Sequence, residues 1–333
     1  MSAPRSAAEL VGRRVVVDVP ATSANLGAGF DALALALDLA TVIEVRAVAP
    51  ETEPAFQVDV EGEGAGQLPS GRRNRFVSAL LDGIEATGVD PEGAGWHVHM
   101  DNRIPVTRGL GSSASAIVAG LVAADALLGG ALGPQRMLEL ATEAEGHADN
   151  AAAAIYGGLC VVGDVEGTPR AIRLEPPKDL LAALYIPDKQ LSTAAMREAL
   201  PATVPFADAV HNVGAASLAV AALSQGRLDL LGAALVDRLH QPYRAGAYPE
   251  LPQLIEAALA AGARGACLSG AGPTVIAFSE DVAAAATIAA AMERRAQSLG
   301  LFGRAAVQAA RAEGARVIAG ADGRRLSSSP ALT

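Results

Sequence analysis

Residues 116–128 are apolar nearly all round, with Asp125 the one charge, and the run stops at Gly129-Gly130. Such a stretch reads as a helix buried on every side, which demands a sizeable core around it. The chain can supply one: it has 333 residues, 51% of them hydrophobic, enough for about two domains at roughly 150 residues each. Charge points away from polyanions. Lys plus Arg number 26 against 36 Asp plus Glu, a net of −10, so there is no basic footprint for nucleic acid or an anionic membrane.

Several chemistries are excluded by residue type. Cys160 and Cys267 sit singly in apolar runs and read as small core residues, which removes a disulfide framework or a cysteine-rich zinc site. The five histidines, His97, His99, His147, His211 and His240, form no zincin pattern. The only lysines are Lys178 and Lys189, preceded by Pro177 and Asp188, so the Gly-Lys-Ser/Thr of a Walker A loop is missing. The N-terminal residues lack a signal-peptide pattern, and the longest uncharged stretches are too short, or too rich in Ala and Gly, for a membrane span. A soluble cytoplasmic protein is expected.

Periodicity gives the elements. Residues 13–19 predict a strand ending at Pro20, and the Leu/Ala alternation over 33–46 predicts a long strand or a hairpin. Helical spacing runs from Asn74 to Gly88, and residues 96–100 alternate as a strand. Helices are expected over 135–145, 151–156, 194–200, 207–223, 228–238 and 251–261. Strands are expected over 159–162, 180–186, 266–269, 275–278 and 316–318. Residues 164–179 read as a surface connection, and 327–330 as a frayed tail. Helices segregated beside a few strands suggest an α+β class for two domains, 10–165 and 170–320.

The most informative segment precedes the buried helix: Pro105, Val106, Thr107, Arg108, Gly109, Leu110, Gly111, Ser112, Ser113, Ala114, Ser115. Glycines let backbone amides approach an anion, the first turn of a helix has unpaired N–H groups, and its dipole adds partial positive charge. Serine hydroxyls can donate to phosphate oxygens or ligate a hard cation. A Ser-capped helix after a turn would account for the serines alone.

The ordered string closely resembles the phosphate-binding motif of the galactokinase, homoserine kinase, mevalonate kinase and phosphomevalonate kinase (GHMP) superfamily. Two further elements resemble it in the right order: Pro20-Ala21-Thr22-Ser23-Ala24-Asn25-Leu26-Gly27 and Ser269-Gly270-Ala271-Gly272-Pro273-Thr274. Within the superfamily, residues 22–31, Glu145-Gly146-His147-Ala148-Asp149-Asn150, Ser192-Thr193 with Arg197 and Pro201, and His240-Gln241-Pro242-Tyr243-Arg244 are similar to the homoserine kinase family. The resemblance spans nearly the whole chain. It implies a two-domain GHMP-kinase fold, with an N-terminal ribosomal-protein-S5-domain-2-like part that binds ATP and a C-terminal ferredoxin-like part. It also implies γ-phosphate transfer from ATP to the L-homoserine hydroxyl, and a homodimer.

Carried onto this sequence, the family's homoserine pocket falls on Asn25, Asp31, His147, Asn150, Thr193, Arg197 and Arg244. Arginine forks suit a carboxylate, and Asp31 suits the ammonium or the hydroxyl. Asn74 falls near the nucleotide base or ribose, and Gly270 and Gly272 belong to a loop closing over the phosphates. Ser113 and Glu145 are the expected Mg2+ ligands, with Glu143 as an alternative. Asn25, Asp31, Ser113, Glu145 and Asn150 form the expected catalytic set. Asn150 stands where mevalonate-kinase-like members offer an aspartate, so in-line transfer without a strong general base is expected, carried by positioning and charge stabilisation.

Other readings are a superfamily kinase for mevalonate, a sugar or shikimate, and a catalytically dead ATP sensor. Residues 27–32 also fit the dinucleotide fingerprint of an NAD-dependent dehydrogenase, but the next residues, 33–46, alternate like a strand where that fingerprint must open a helix.

Overall fold

The alternation beginning at Leu33 becomes a single long strand, β2 (Leu33–Val48), paired antiparallel with β1 (Arg14–Ala24). In this computed structural model, which describes residues 6–320, β1 does not stop at Pro20 as the sequence led us to expect. It runs on because the register shifts between Pro20 and Ala21, an irregularity that accommodates a residue with no N–H to donate. The shift also exchanges faces. Before it, Val15, Val17 and Val19 with Ile43, Val45 and Ala47 enter one core; beyond it, Ala24 and Ala34 do so, while Ala21, Leu33, Leu35 and Leu37 turn to another.

The chain continues through β3 (Phe56–Gly62), α1 (Arg75–Glu85) and β4 (Gly95–Asn102), a crossover that sets β3 parallel to β4. Next come α2 (Ser112–Leu127), α3 (Gly133–Glu145), α4 (Asp149–Tyr156) and the hairpin β5 (Leu159–Val165) and β6 (Thr168–Leu174). The second half holds β7 (Leu181–Pro187), α5 (Thr193–Glu198), α6 (Phe206–Ser224), α7 (Leu231–Ala234), α8 (Gln241–Arg244), α9 (Leu251–Ala260), β8 (Gly265–Leu268), β9 (Val275–Ser279), α10 (Val282–Ser298) and β10 (Gly303–Ala309). The last strand, β11 (Arg316–Ala319), returns to the first sheet.

Two sheets result. The first runs β11-β1-β2-β4-β3, with β5 joining the start of β2 and β6 joining β5; the second runs β10-β7-β9-β8. One core lies between the first sheet and α1–α4, a second between the sheets with α6 and α7, and a third under α9 and α10. The α+β class holds. Helix α2 is buried on nearly every side, as its composition requires.

Some elements differ from the sequence reading. The supposed surface connection contains β6, and β3, α10 and β10 were not expected. The helix expected over 228–238 breaks into a 3-10 turn (Leu228–Leu230) and α7, after which Asp237 caps the amides of Leu239, His240 and Gln241. The tail at 327–330 lies outside the described residues. Contrary to expectation, one described helix, α6, is long and apolar enough to cross a membrane by length and composition. Its inner face, Asn212, Ala215, Ala219, Ala222 and Leu223, is buried against the rest of the chain.

Candidate active site

Gly109 and Gly111 adopt φ of 74° and 70°, the left-handed region. A Cβ at Gly111 would strike the Thr22 hydroxyl, and one at Gly109 would strike the Ser269 carbonyl. The loop is therefore pressed between β1 and the 269–274 loop. Helix α2 starts at Ser112, earlier than the expected residue 116, so all three serines lie in its first turn. Gly111 supplies no side-chain cap, and the first helical bond runs from Ser115 N–H to the Gly111 carbonyl at 2.8 Å. The amides of Ser112, Ser113 and Ala114 come before that bond and add to the positive end of the helix dipole.

A cavity of about 340 Å³ opens on this helix start. The structure brings to its wall Asn25, Asp31, Asn74, Val106, Thr107, Arg108, Gly109, Gly111, Ser112, Ser113, Ala114, Glu145, His147, Asn150, Thr193, Arg197, Arg244 and Gly270. Pro105, Leu110, Ser115 and Gly272 are not on the wall: Leu110 is buried in the middle core, and Ser115 Oγ donates to the Pro20 carbonyl at 2.7 Å. Asn74 caps α1, its Oδ1 accepting from Phe76 N–H and its Nδ2 donating to the Pro69 carbonyl.

Opposite charges meet in one part of the cavity. Arg197 grips Asp31 through two hydrogen bonds of 2.9 Å, which raises the Arg197 guanidinium above its ordinary value. Asn25 fixes that loop, its Oδ1 accepting from Asp31 N–H and its Nδ2 donating to the Gly270 carbonyl at 2.8 Å. Arg244, 2% exposed, donates to His240 Nδ1 at 3.2 Å and to the Gly270 carbonyl at 3.0 Å. Among the described residues it has no carboxylate at ion-pair distance, and burial, with Arg197 nearby, pushes its guanidinium down. Phe30 lies beneath both guanidinium groups, at 5.6 and 5.4 Å, and stacks on His240.

The tautomer of His240 follows from its partners. Nε2 is 2.8 Å from the Gly27 carbonyl, which can only accept, so Nε2 carries the proton and Nδ1 accepts from Arg244. Burial lowers the imidazole below its ordinary value, which keeps it neutral beside the cation.

A second network surrounds Asn150. Thr22 Oγ1 donates to Asn150 Oδ1 at 2.7 Å, and buried Asp149 accepts from Asn150 N–H and lies 3.0 Å from His147 Nδ1. The bond to Asp149 raises His147 above its ordinary value against the opposing effect of burial, with Glu145 and Asp31 adding to the rise. Ser113 Oγ donates to Glu145 Oε1 at 2.5 Å, placing two hard oxygens at the helix start, whereas Glu143 faces Arg136 at 3.8 Å. Among the described residues no group of three or more His, Cys, Asp or Glu could hold a metal. A Ser–Glu pair fits a small hard ion that takes its remaining ligands from water and phosphate.

Sequence reasoning missed Thr22, Phe30 and Asp149 as individual contributors, although each lies in or beside a quoted motif. It also missed an apolar part of the cavity formed by Ile43, Leu68 and Met100, beside the Thr41–Asn102 hydrogen bond.

Known proteins resemble the chain over most of its length. The profile of the GHMP kinases N terminal domain matches residues 74–158, and that of the GHMP kinases C terminal region matches 219–314. A homoserine kinase from Synechococcus sp. (strain WH7803) is 41% identical over 89% of this chain and 93% of its own length. The chain belongs to the homoserine kinase family of GHMP kinases. A second homoserine kinase, from Streptomyces avermitilis, is 44% identical over 81% of this chain and 87% of its own. The crystal structure of the Cytophaga hutchinsonii homoserine kinase superposes with a TM-score of 0.81 at 29% identity, covering 92% of this chain and 98% of the other. At Gly109 the loop meets the backbone of Ser269 and Gly272 from the second half of the chain.

Proposed function

We propose that this GHMP kinase transfers the γ-phosphate of ATP to the hydroxyl of L-homoserine, giving O-phospho-L-homoserine for threonine biosynthesis, as a soluble cytoplasmic enzyme without nucleic-acid or membrane partners. One observation carries the choice of acceptor. The cavity holds a buried guanidinium, Arg244, that lacks a carboxylate, beside an Arg197–Asp31 pair. A buried charge is costly unless paired. A substrate carboxylate meets Arg244 and one face of Arg197, while its ammonium takes up Asp31. Only a zwitterion replaces both ends of the existing ion pair at once. Asn25, His147 and Thr193 add uncharged or switchable hydrogen bonds around it.

The triphosphate lies on the amides of 109–114, with the Gly270 loop closing from the other side and the base in the apolar part near Ile43, Leu68 and Met100. Ser113 and Glu145 would hold Mg2+, which supplies charge neutralisation on the phosphates. Asn150, anchored by Thr22, orients the acceptor hydroxyl; an amide takes no proton, so the hydroxyl proton leaves late, to phosphate or solvent. The rate comes from in-line positioning and from preorganised donors around the transferring group. On this reading 10–165 is the ATP-binding domain and 170–320 the C-terminal domain, with β11 crossing back, and the enzyme acts as a homodimer.

The test is ADP release from Mg-ATP with homoserine, threonine, mevalonate, galactose and shikimate as acceptors. Turnover with homoserine is expected; activity only with an acceptor that is not an amino acid overturns the assignment.

A further inference from the structure

Arg108 stands in the phosphate-binding string, where a cation would ordinarily be assigned to the triphosphate. It lines the cavity, yet each nitrogen of its guanidinium already donates to a main-chain carbonyl. Nε donates to Pro187 and Nη2 to Asp188, each at 2.6 Å, and Nη1 donates to Val106 at 3.0 Å. The first two carbonyls belong to the other half of the chain, at the end of β7 and the start of the segment that leads into α5. Short charge-assisted bonds of this kind are the strong ones, and a planar fork can hold two neighbouring acceptors at once.

On the reading that homoserine is the acceptor, we infer that Arg108 is a positioning residue for homoserine and not a ligand of the phosphates. It straps the arm that carries Thr193 and Arg197 to the phosphate loop.

The two ends of the strap differ in how much they depend on it. The phosphate loop is held by other bonds. Thr274 N–H donates to the Arg108 carbonyl at 3.2 Å, Ser269 Oγ to the Gly109 carbonyl at 2.6 Å, and Thr22 N–H to the Leu110 carbonyl at 3.1 Å. Removing the guanidinium leaves all three in place.

The arm has less to hold it. Strand β9 accompanies β7 only as far as Tyr185, so Pro187 has β10 as its one strand partner. Asp188 N–H donates to the Phe302 carbonyl at 2.9 Å, and Leu191 is half-buried against the third core. Helix α5 has six residues, too few to be stable in isolation. Ser192 caps it, and Met196 is its one buried residue. Its remaining tie is the pair of bonds from Arg197 to Asp31. A zwitterion that takes up both ends of that ion pair removes this tie at the moment when Arg197 must be in place. The strap at 187–188 then sets where the arm stands.

Steady-state kinetics on Arg108→Met tests this, because the variant keeps a long side chain and no donor. With the fold checked by circular dichroism, the homoserine KM is expected to rise about tenfold, while kcat and the ATP KM stay within about threefold of wild type. Arg108→Lys keeps the charge without the planar fork and is expected to show the same split on a smaller scale, so it decides the matter if the methionine variant does not fold. Arg197→Met separates a strap from a general loosening. Once Arg197 is gone the strap has little left to position, so Arg108→Met/Arg197→Met is expected within about threefold of Arg197→Met in homoserine KM. An unchanged homoserine KM in either Arg108 variant, an ATP KM that rises as much or more, or a double variant in which the two losses multiply overturns the inference. Those results in a wild type that turns homoserine over sink this inference alone, whereas a wild type inactive with homoserine sinks the acceptor reading together with it.

Discussion

Arg244 is a cation that the fold removes from water and then satisfies incompletely, with an imidazole nitrogen and two carbonyls, Gly270 and Met196, the latter at a long 3.4 Å. An ion so placed costs several kcal/mol until an anion arrives, and the geometry of its fork decides how well a carboxylate is met. That geometry depends on His240, whose Nδ1 accepts from Arg244 while Nε2 holds the Gly27 carbonyl. Two conservative variants separate these duties. His240→Asn keeps an acceptor near Nδ1 and loses the Gly27 contact; His240→Gln keeps a donor near Nε2 and loses the acceptor. A hydrogen bond to a charged group contributes ~1.5–3 kcal/mol, so His240→Gln should raise the homoserine KM by about 10- to 100-fold with kcat little changed. His240→Asn should stay within about fivefold of wild type, since the charged bond survives. Steady-state kinetics on both variants decides the matter, and equal KM values would remove His240 from the positioning of Arg244.

At the scale of elements, the proposed function gives the start of α2 the work that a lysine does in a Walker loop, and that work depends on Gly111. An L residue in the left-handed region costs ~1–2 kcal/mol, and here a Cβ also meets the Thr22 hydroxyl, the partner of Asn150. Gly111→Ala should therefore lower stability by about 2–3 kcal/mol in chemical denaturation. It should also raise the ATP KM and lower kcat, because both the amide cradle and Asn150 shift. An unchanged ATP KM in a folded variant would take the triphosphate away from this loop. Gly111 was legible in the sequence because a local string carries its meaning; so were Ser113, Glu145, Asn150 and the long alternation of β2. What was not legible is non-local or low in contrast. Strand β3 is half exposed and set among Glu and Gly. The buried positions of α10, Ala285, Ile288, Ala289, Met292 and Ala296, have helical spacing but sit in an alanine run where inside and outside look alike. Phe30 contacts residues on α5 and α8 that no local pattern connects to it. Pro20 misled the strand boundary because a register shift, invisible in one strand's sequence, absorbs it.

The whole molecule is laced at the site rather than hinged there. Ser269 Oγ donates to the Gly109 carbonyl at 2.6 Å and lies 2.8 Å from Ser23 Oγ, Gly270 N–H donates to the Ala24 carbonyl, and Arg108 reaches the Pro187 and Asp188 carbonyls, each at 2.6 Å. A second seam closes the chain on itself. Buried Arg311 and half-exposed Arg316 both bond Asp18 Oδ2 at 2.9 Å, pinning the segment after β10 and the start of β11 to β1. Removing one partner of a buried pair costs about 3–5 kcal/mol, since the other charge is left behind. Asp18→Asn keeps the shape and should fall at the low end, about 3 kcal/mol, with Arg316 contributing little because it is half in water. Trp96, the only tryptophan and fully buried in the first core, reports the first sheet alone, while far-ultraviolet circular dichroism reports both halves. Because the lacing passes through backbone carbonyls of both halves, the two signals should lose their transition together in urea, in wild type and in Asp18→Asn, with the midpoint of the variant lower. If the Trp96 transition in Asp18→Asn ran ahead of the dichroism, the first sheet would be unfolding by itself, and the site's hydrogen bonds would be too weak to hold the two halves as one cooperative unit.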